Sequence, residues 1–363
     1  MMEKRLLLYF GGNKPRDKAL GLPTWIPITK RPFIQSVNRV NHSIGEYINP
    51  FKSVIATETI EDLLKLKNNT LSFEDQAHYT ALQIKEKTQD SKIFLMYSGG
   101  IDSTSALVAI MNTWSKEDLE RVFILMSYRS IEEFPDMWKT INQHFKGRII
   151  NSLINTDKFL DEGYMITGEF GDQLFGSDIV IPLVGKYGDE GIHLPWQNNI
   201  NNFYKDLFGS TFSKNVDLFV DKYAQTLEYS PFKISSCFDF LWWFNFTNKW
   251  QLVKYRMLEQ KRFQDPRTSF SKIIHFFDTP EFQRWSLDNQ DQKIQNTLIS
   301  YKYSAKEFIV KHTKYTDYLK KPKVGSLQFI WSNFDKSYAF DQDFNEMTHE
   351  EVIGCVNDYG RPD

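Results

Sequence analysis

Ile93-Phe94-Leu95-Met96-Tyr97-Ser98-Gly99-Gly100-Ile101-Asp102-Ser103 decides how the rest of the chain is read. Ile93–Tyr97 is an unbroken apolar run, the pattern of a strand covered on both faces of a parallel sheet. Ser98-Gly99-Gly100 is a turn. Beyond it Ala106, Leu107, Ile110, Met111 and Trp114 recur at helical spacing. Working outward, Val122–Ser127 reads as a second buried strand and Tyr164–Thr167 as a later one. Strand, glycine turn, helix and strand in that order make a parallel α/β unit with a right-handed crossover.

The turn itself is built for an anion. Two glycines allow the backbone to bend tightly and aim several N–H groups at one point, and the following helix adds its positive end. Ser98 and Ser103 bring hydroxyl donors. Asp102 does not belong beside a bare phosphate unless a cation lies between them, which implies Mg²⁺. The alternative is a glycine turn that serves only to start a helix; the agreement of strand, loop and helix favours the anion site.

Composition sets the limits. The 363 residues suffice for two domains, or one large domain with additions, and for a core without disulfides. Hydrophobic residues at 41% and charged residues at 25% exclude a disordered chain. A net charge of -2 makes no electrostatic case for a nucleic-acid partner. Aromatic residues reach 15%, including 30 Phe, and are expected to fill the core. Cys237 and Cys355 are the only cysteines, which rules out a disulfide scaffold or a four-cysteine metal site. The seven histidines are scattered, with no pair at a helical metal-ligand spacing. The apolar run after Lys4 and Arg5 stops at Gly11-Gly12, and no stretch approaches the ~20 apolar residues of a membrane span. A reduced, cytoplasmic protein without membrane contact is expected.

The first 71 residues carry strand-like pieces (Arg5–Phe10, Ser53–Thr57) among five prolines, so no long helix is expected before residue 58. Ser72 to Lys87 reads as a helix with Ser72 as N-cap. Seven of the 18 glycines fall between Gly163 and Gly191, where irregular loops at the strand ends are expected. From about Asn198 the chain reads as mostly helical, and after Phe334 as an acidic tail.

The Ser98–Ser103 loop resembles the SGGxDS signature of the PP-loop ATP pyrophosphatases, which cleave ATP between the α and β phosphates. A second segment, Gly168-Glu169-Phe170-Gly171-Asp172-Gln173-Leu174-Phe175-Gly176, resembles the GEGADELFGG segment of asparagine synthetases. Gly168, Glu169, Asp172, Leu174, Phe175 and Gly176 match; Phe170 replaces Gly, Gly171 replaces Ala and Gln173 replaces Glu. Two shorter segments follow in family order. Ile274-His275-Phe276-Phe277-Asp278 resembles PFLD, and Lys321-Pro322-Lys323-Val324-Gly325 resembles RxKxG.

The resemblance implies a parallel-sheet PP-loop fold, similar to the adenine nucleotide α-hydrolases. It would have a synthetase domain at 72–333, a small N-terminal extension at 1–71, a mostly helical C-terminal part and an acidic tail at 334–363. It implies that ATP is held by Ser98, Gly99, Gly100, Asp102, Ser103 and Gly168, with adenine near the backbone of Leu125 and Met126. It implies Mg²⁺ on Asp102 and Asp172, phosphate charge neutralised by Lys323, and Glu169 as the acid/base. The activity implied is adenylation of a small-molecule or peptide carboxylate, then transfer to ammonia or an amine.

Family members usually carry an N-terminal glutaminase with a cysteine after the initiator methionine. Met2 stands there, and 71 residues are too few for that domain. The expectation is a ligase without glutamine hydrolysis, like β-lactam synthetases, unless a separate glutaminase subunit delivers ammonia. The competing readings are a PP-loop enzyme that adenylates a nucleic-acid base and a non-catalytic nucleotide-binding protein.

Overall fold

A computed structural model describes residues 39–40, 57–151, 157–176, 179–208, 216–217, 220–221, 223–250, 253, 271–321, 339–340 and 346–347. Within them the protein is α/β, built on a five-stranded, all-parallel sheet. The strands are β1 (Lys92–Met96), β2 (Val122–Met126), β3 (Ile149–Asn151), β4 (Gly163–Thr167) and β5 (Ile273–His275), in the order β3-β2-β1-β4-β5.

β1 is the central strand, which is why its sequence is apolar without alternation. Ile93 lies opposite Val122 on one side and Tyr164 on the other, and Ile93, Phe94 and Leu95 are buried. β4 begins at Gly163 because nothing larger fits: a Cβ there would lie 2.1 Å from the carbonyl oxygen of Lys92. The chain leaves β1 toward β2 and leaves β4 toward β5, so the winding reverses between β1 and β4. In open parallel sheets the crevice beyond the strand C-termini at such a reversal is the ligand position.

By contact density the chain divides into two compact units. The sheet belongs to the unit of Phe73–Gly168, Arg267–Phe276 and Ala305–Asp363. There the Phe73–Thr88 helix packs on the Ile101–Thr113 helix. Small residues such as Ala77, Ala81, Ala106 and Ala109 are buried, and the Trp114 indole donates to the carbonyl of Ala81 at 2.9 Å.

The other unit takes Met1–Ser72, Glu169–Pro266 and Phe277–Ser304, so its largest piece is inserted between β4 and β5. Its core is aromatic. The Cys237–Asn248 helix starts at a Ser236/Asp239 capping box and buries Phe238, Phe240, Trp242, Trp243 and Phe246. Each large indole has a partner: Trp242 donates to Leu174 O, Trp243 to Thr226 Oγ1, Trp250 to Asp278 Oδ1 and Trp285 to Leu71 O. Arg39 is fully buried with its guanidinium 4.8 Å from the Phe246 ring and 4.6 Å from the Trp250 ring. Burial lowers its pKa to about 10, against the opposing pull of Glu58 and Asp278.

Several expectations shift. The helix expected at Ser72 to Lys87 runs Phe73–Thr88. The strand expected at Tyr164–Thr167 is β4, but the rest of the stretch to Gly191, expected as irregular loops, contains the helices Gly171–Phe175 and Val180–Tyr187 and a 3-10 turn at Asp189–Ile192. Glycine count alone misled, because Gly171 and Gly185 lie inside helices. The expected strands Arg5–Phe10 and, except for Thr57, Ser53–Thr57 lie outside the described residues, as does most of the acidic tail. Of that tail Ala339–Phe340 and Glu346–Met347 form a short antiparallel pair. Among the described residues no helix is long and apolar enough to cross a membrane.

Candidate functional site

The turn after β1 holds its own polar groups in place. The Ser98 N–H donates to Ser103 Oγ at 3.1 Å, and the two serine hydroxyls share a hydrogen bond of 3.0 Å. The Gly100 N–H donates to Ser98 Oγ at 3.3 Å, and Ser103 Oγ donates to Gly100 O at 3.2 Å. Gly100 is the N-cap of the Ile101–Thr113 helix and, being glycine, makes no side-chain cap bond to the first turn. Ser98 is exposed and Asp102 half-buried, in that first turn. An exposed hydroxyl beside a helix start with glycine at the N-cap is an arrangement that can receive an anion.

Two glycines are required by space. Gly99 has φ +80°, and a Cβ there would lie 2.5 Å from Ser130 O and 2.7 Å from Glu133 Cβ. The short helix Tyr128–Glu133 therefore braces the turn from behind. Ser130 Oγ donates to Tyr97 O at 2.7 Å, fixing the end of β1 to the same helix. Gly168, just past β4, is equally constrained: a Cβ would lie 2.6 Å from the Ser103 backbone nitrogen. The end of β4 thus closes on the start of the Ile101–Thr113 helix at the point where the winding reverses.

Leu125 and Met126 lie at the end of β2, in register with Ile150 and Asn151. Both side chains are buried, and the Leu125 carbonyl accepts from the Tyr97 N–H at 2.8 Å. Lys323 lies outside the described residues, but Lys321, two positions earlier, does not. Its Nζ is 3.5 Å from Glu133 Oε1, on the helix that braces Gly99. Burial lowers the Lys321 pKa against the opposing pull of Glu133. Sequence reading named Lys321 within the RxKxG-like segment but gave it no role of its own.

Glu169 and Asp172 follow in sequence but belong to the other unit. Glu169 is half-buried. Phe170 takes φ +77°, the left-handed region that favours glycine, at the position where the resembled segment has glycine. The phenylalanine compensates by burying its ring in a stack 4.6 Å from Trp250. Asp172 Oδ1 is held by the buried ammonium of Lys302 at 2.8 Å. Gln173 is buried, donating to Asn245 Oδ1 at 3.4 Å. Asn245 in turn donates to the carbonyls of Asp172, at 2.8 Å, and Gly176. Asp102 and Asp172, expected to share one ion, are carried by different units. Lys302 is a residue that sequence reading missed, since its pairing spans 130 residues of chain.

Ile274 and His275 of the PFLD-like stretch lie on β5, where His275 Nδ1 and Thr167 Oγ1 approach to 2.6 Å. Asp278 accepts the Trp250 indole N–H at 2.7 Å. Both are structural ties. No family model, no curated protein and no solved structure matches the chain.

Proposed function

We propose that the chain is an AMP-forming, ATP-dependent amide ligase of the PP-loop class, resembling asparagine and β-lactam synthetases. The observation that carries this reading is the Ser98–Ser103 turn. It lies past the central strand, at the reversal of the winding, with a glycine at the helix N-cap, one position inside it (Gly99) where a Cβ does not fit, and a second (Gly168) packed against it.

In this reading the backbone N–H groups and the hydroxyls of Ser98 and Ser103 bind the phosphates of ATP. Asp102 would hold Mg²⁺, which when bound would neutralise charge on the phosphate oxygens. A carboxylate oxygen of the substrate attacks the α phosphorus, the bond to the bridging oxygen breaks, and pyrophosphate leaves. Ammonia or an amine then attacks the acyl carbon, AMP leaves, and Glu169 takes the amine proton. Lys323 neutralises phosphate charge, and adenine rests by Leu125 and Met126. Asp172 adds a metal ligand, for which it must share its carboxylate with Lys302. The protein works in a reducing cytoplasm, consistent with a buried, unpaired Cys237 thiol.

A second reading, a nucleotide-binding protein without turnover, is favoured by one observation. The Asp172 carboxylate is already neutralised by a buried ammonium. Incubation with Mg-ATP, a panel of carboxylates and ammonia or amines separates the two. AMP and pyrophosphate in equal amounts, with a new amide, support the ligase; ADP with orthophosphate overturns it. ATP binding without AMP under every pairing moves the assignment to the second reading.

A further inference from the structure

A second site lies on the sheet-bearing unit, on elements that no part of the proposed reaction uses. Among the described residues, Glu74, His78 and His312 bring one ligand atom each to within 4.8 Å of one another. Glu74 and His78 stand four residues apart on the Phe73–Thr88 helix and so leave the same face. His312 comes from the last turn of the Tyr303–Thr313 helix, more than 230 residues away in sequence. From the geometry we infer a divalent transition-metal site, suited to zinc, that joins these two helices through Glu74, His78 and His312.

Three observations support it. First, His78 Nε2 is shut off from water and has no hydrogen-bond partner. An unpaired buried imidazole nitrogen is costly, and a cation would supply the missing partner. Second, His312 Nε2 and Glu74 Oε1 are already 2.9 Å apart. Two ligands at about 2.0–2.2 Å from a tetrahedral ion stand about 3.3–3.6 Å apart, so this pair has to open by about half an ångström. Third, one wall is apolar. The Phe308 ring meets His78 edge-on at 5.5 Å and His312 at 5.0 Å, and Phe73 packs behind it.

The charges on hand agree in part. Burial holds the His78 pKa down, favouring the neutral imidazole that metals bind. Burial raises the Glu74 pKa, but hydrogen bonds from Lys311 and His312 outweigh it and keep the carboxyl below its ordinary range. Lys311 Nζ holds Glu74 Oε2 at 2.6 Å and opposes a cation there. It is exposed and can swing away while the ion takes Oε1. Two imidazoles and one carboxylate leave a fourth position for water, and imidazole-rich sets favour Zn²⁺, Co²⁺, Ni²⁺ and Cu²⁺ over Mg²⁺.

The test uses the full chain, stripped with a chelator and titrated with Zn²⁺ and with Co²⁺. Binding of one ion per chain is expected, with the visible absorption of four-coordinate Co²⁺ and a Zn²⁺-dependent rise in melting temperature. His78→Ala, His312→Ala and Glu74→Gln should each weaken binding by at least about a hundredfold. Lys311→Ala should strengthen it, on the order of tenfold, by removing a positive neighbour. Glu74→Gln keeps the shape of the side chain, so it tests the ligand even if a histidine variant misfolds. Affinity unchanged in Glu74→Gln and weakened in Lys311→Ala would overturn the site, as would Zn²⁺ binding no tighter than in His78→Ala/His312→Ala. Neither result depends on whether ATP is cleaved.

Discussion

The turn after β1 and the segment after Gly168 both bend around a residue in the left-handed region, and they do so by opposite means. At Gly99 the bend is made by the absence of a side chain: φ is +80° and Ser130 and Glu133 occupy the space a Cβ would need. At Phe170 the bend is made in spite of a large side chain, whose ring is then secured against Trp250. The first turn leaves an exposed hydroxyl and a glycine at the helix N-cap. The second ties Asp172, Gln173 and Gly176 into contacts with Lys302 and Asn245. A turn shaped by glycine needs no side chain to hold its bend. One shaped by packing spends its side chains on holding itself together.

The contrast breaks most readily at Phe170. Truncation to alanine removes a buried, stacked ring and should cost about 4 kcal/mol in urea denaturation. Phe170→Gly deletes more but relieves the left-handed backbone, so it should be the more stable of the two by about 1 kcal/mol. If glycine proves no better than alanine, the bend there is not strained. Gly99→Ala comes next. The clash with Ser130 and the positive φ together should cost about 3 kcal/mol, measured by the same unfolding curves, and distort the Ser98–Ser103 turn. A variant as stable as the parent would mean that the Tyr128–Glu133 helix does not brace the loop.

Lys302→Met probes the packed segment from the other side. Removing the buried ammonium strands a carboxylate that is still 35% exposed, so a loss of about 2 kcal/mol is expected rather than the full cost of an orphaned buried charge. The double variant with Asp172→Asn should recover part of it; no recovery would show that the pair is not coupled. The smallest effect on stability is expected at Asp102→Asn, within about 0.5 kcal/mol of wild type, because the residue is half-buried on the first turn of its helix. If the proposed ligase reading holds, the same substitution abolishes AMP formation. Activity retained at limiting Mg²⁺ would remove Asp102 from the metal.

What could be read from the chain follows the same division. Ile93–Tyr97, Val122–Ser127 and Tyr164–Thr167 were legible as strands because burial on both faces demands an unbroken apolar run, and that demand is local. The structure places them at Lys92–Met96, Val122–Met126 and Gly163–Thr167. β3 and β5 were not legible as strands. Each has only three residues at an edge of the sheet, and such a segment carries too few positions to show a period. The turn after β1 was legible because glycine and serine state their backbone and hydrogen-bonding needs in the sequence itself. The Glu74, His78 and His312 cluster was not, since a search for paired histidines at helical spacing overlooks a glutamate four residues before one histidine and a second histidine on a distant helix.

By itself the sequence determined a parallel α/β class, the strand–turn–helix at Ser98–Ser103, and an aromatic core in place of disulfides. Each depends on the intrinsic preferences of a short stretch or on a count of residues. Only the tertiary structure decided the strand order with its reversal between β1 and β4, the insertion of one unit between β4 and β5, and the partners of Asp172 and His78. Those depend on which distant side chains meet, and no local pattern encodes that. The pairing of Lys302 with Asp172 exists because folding buries an ammonium beside a half-buried carboxylate, and a buried ammonium is costly without such a partner.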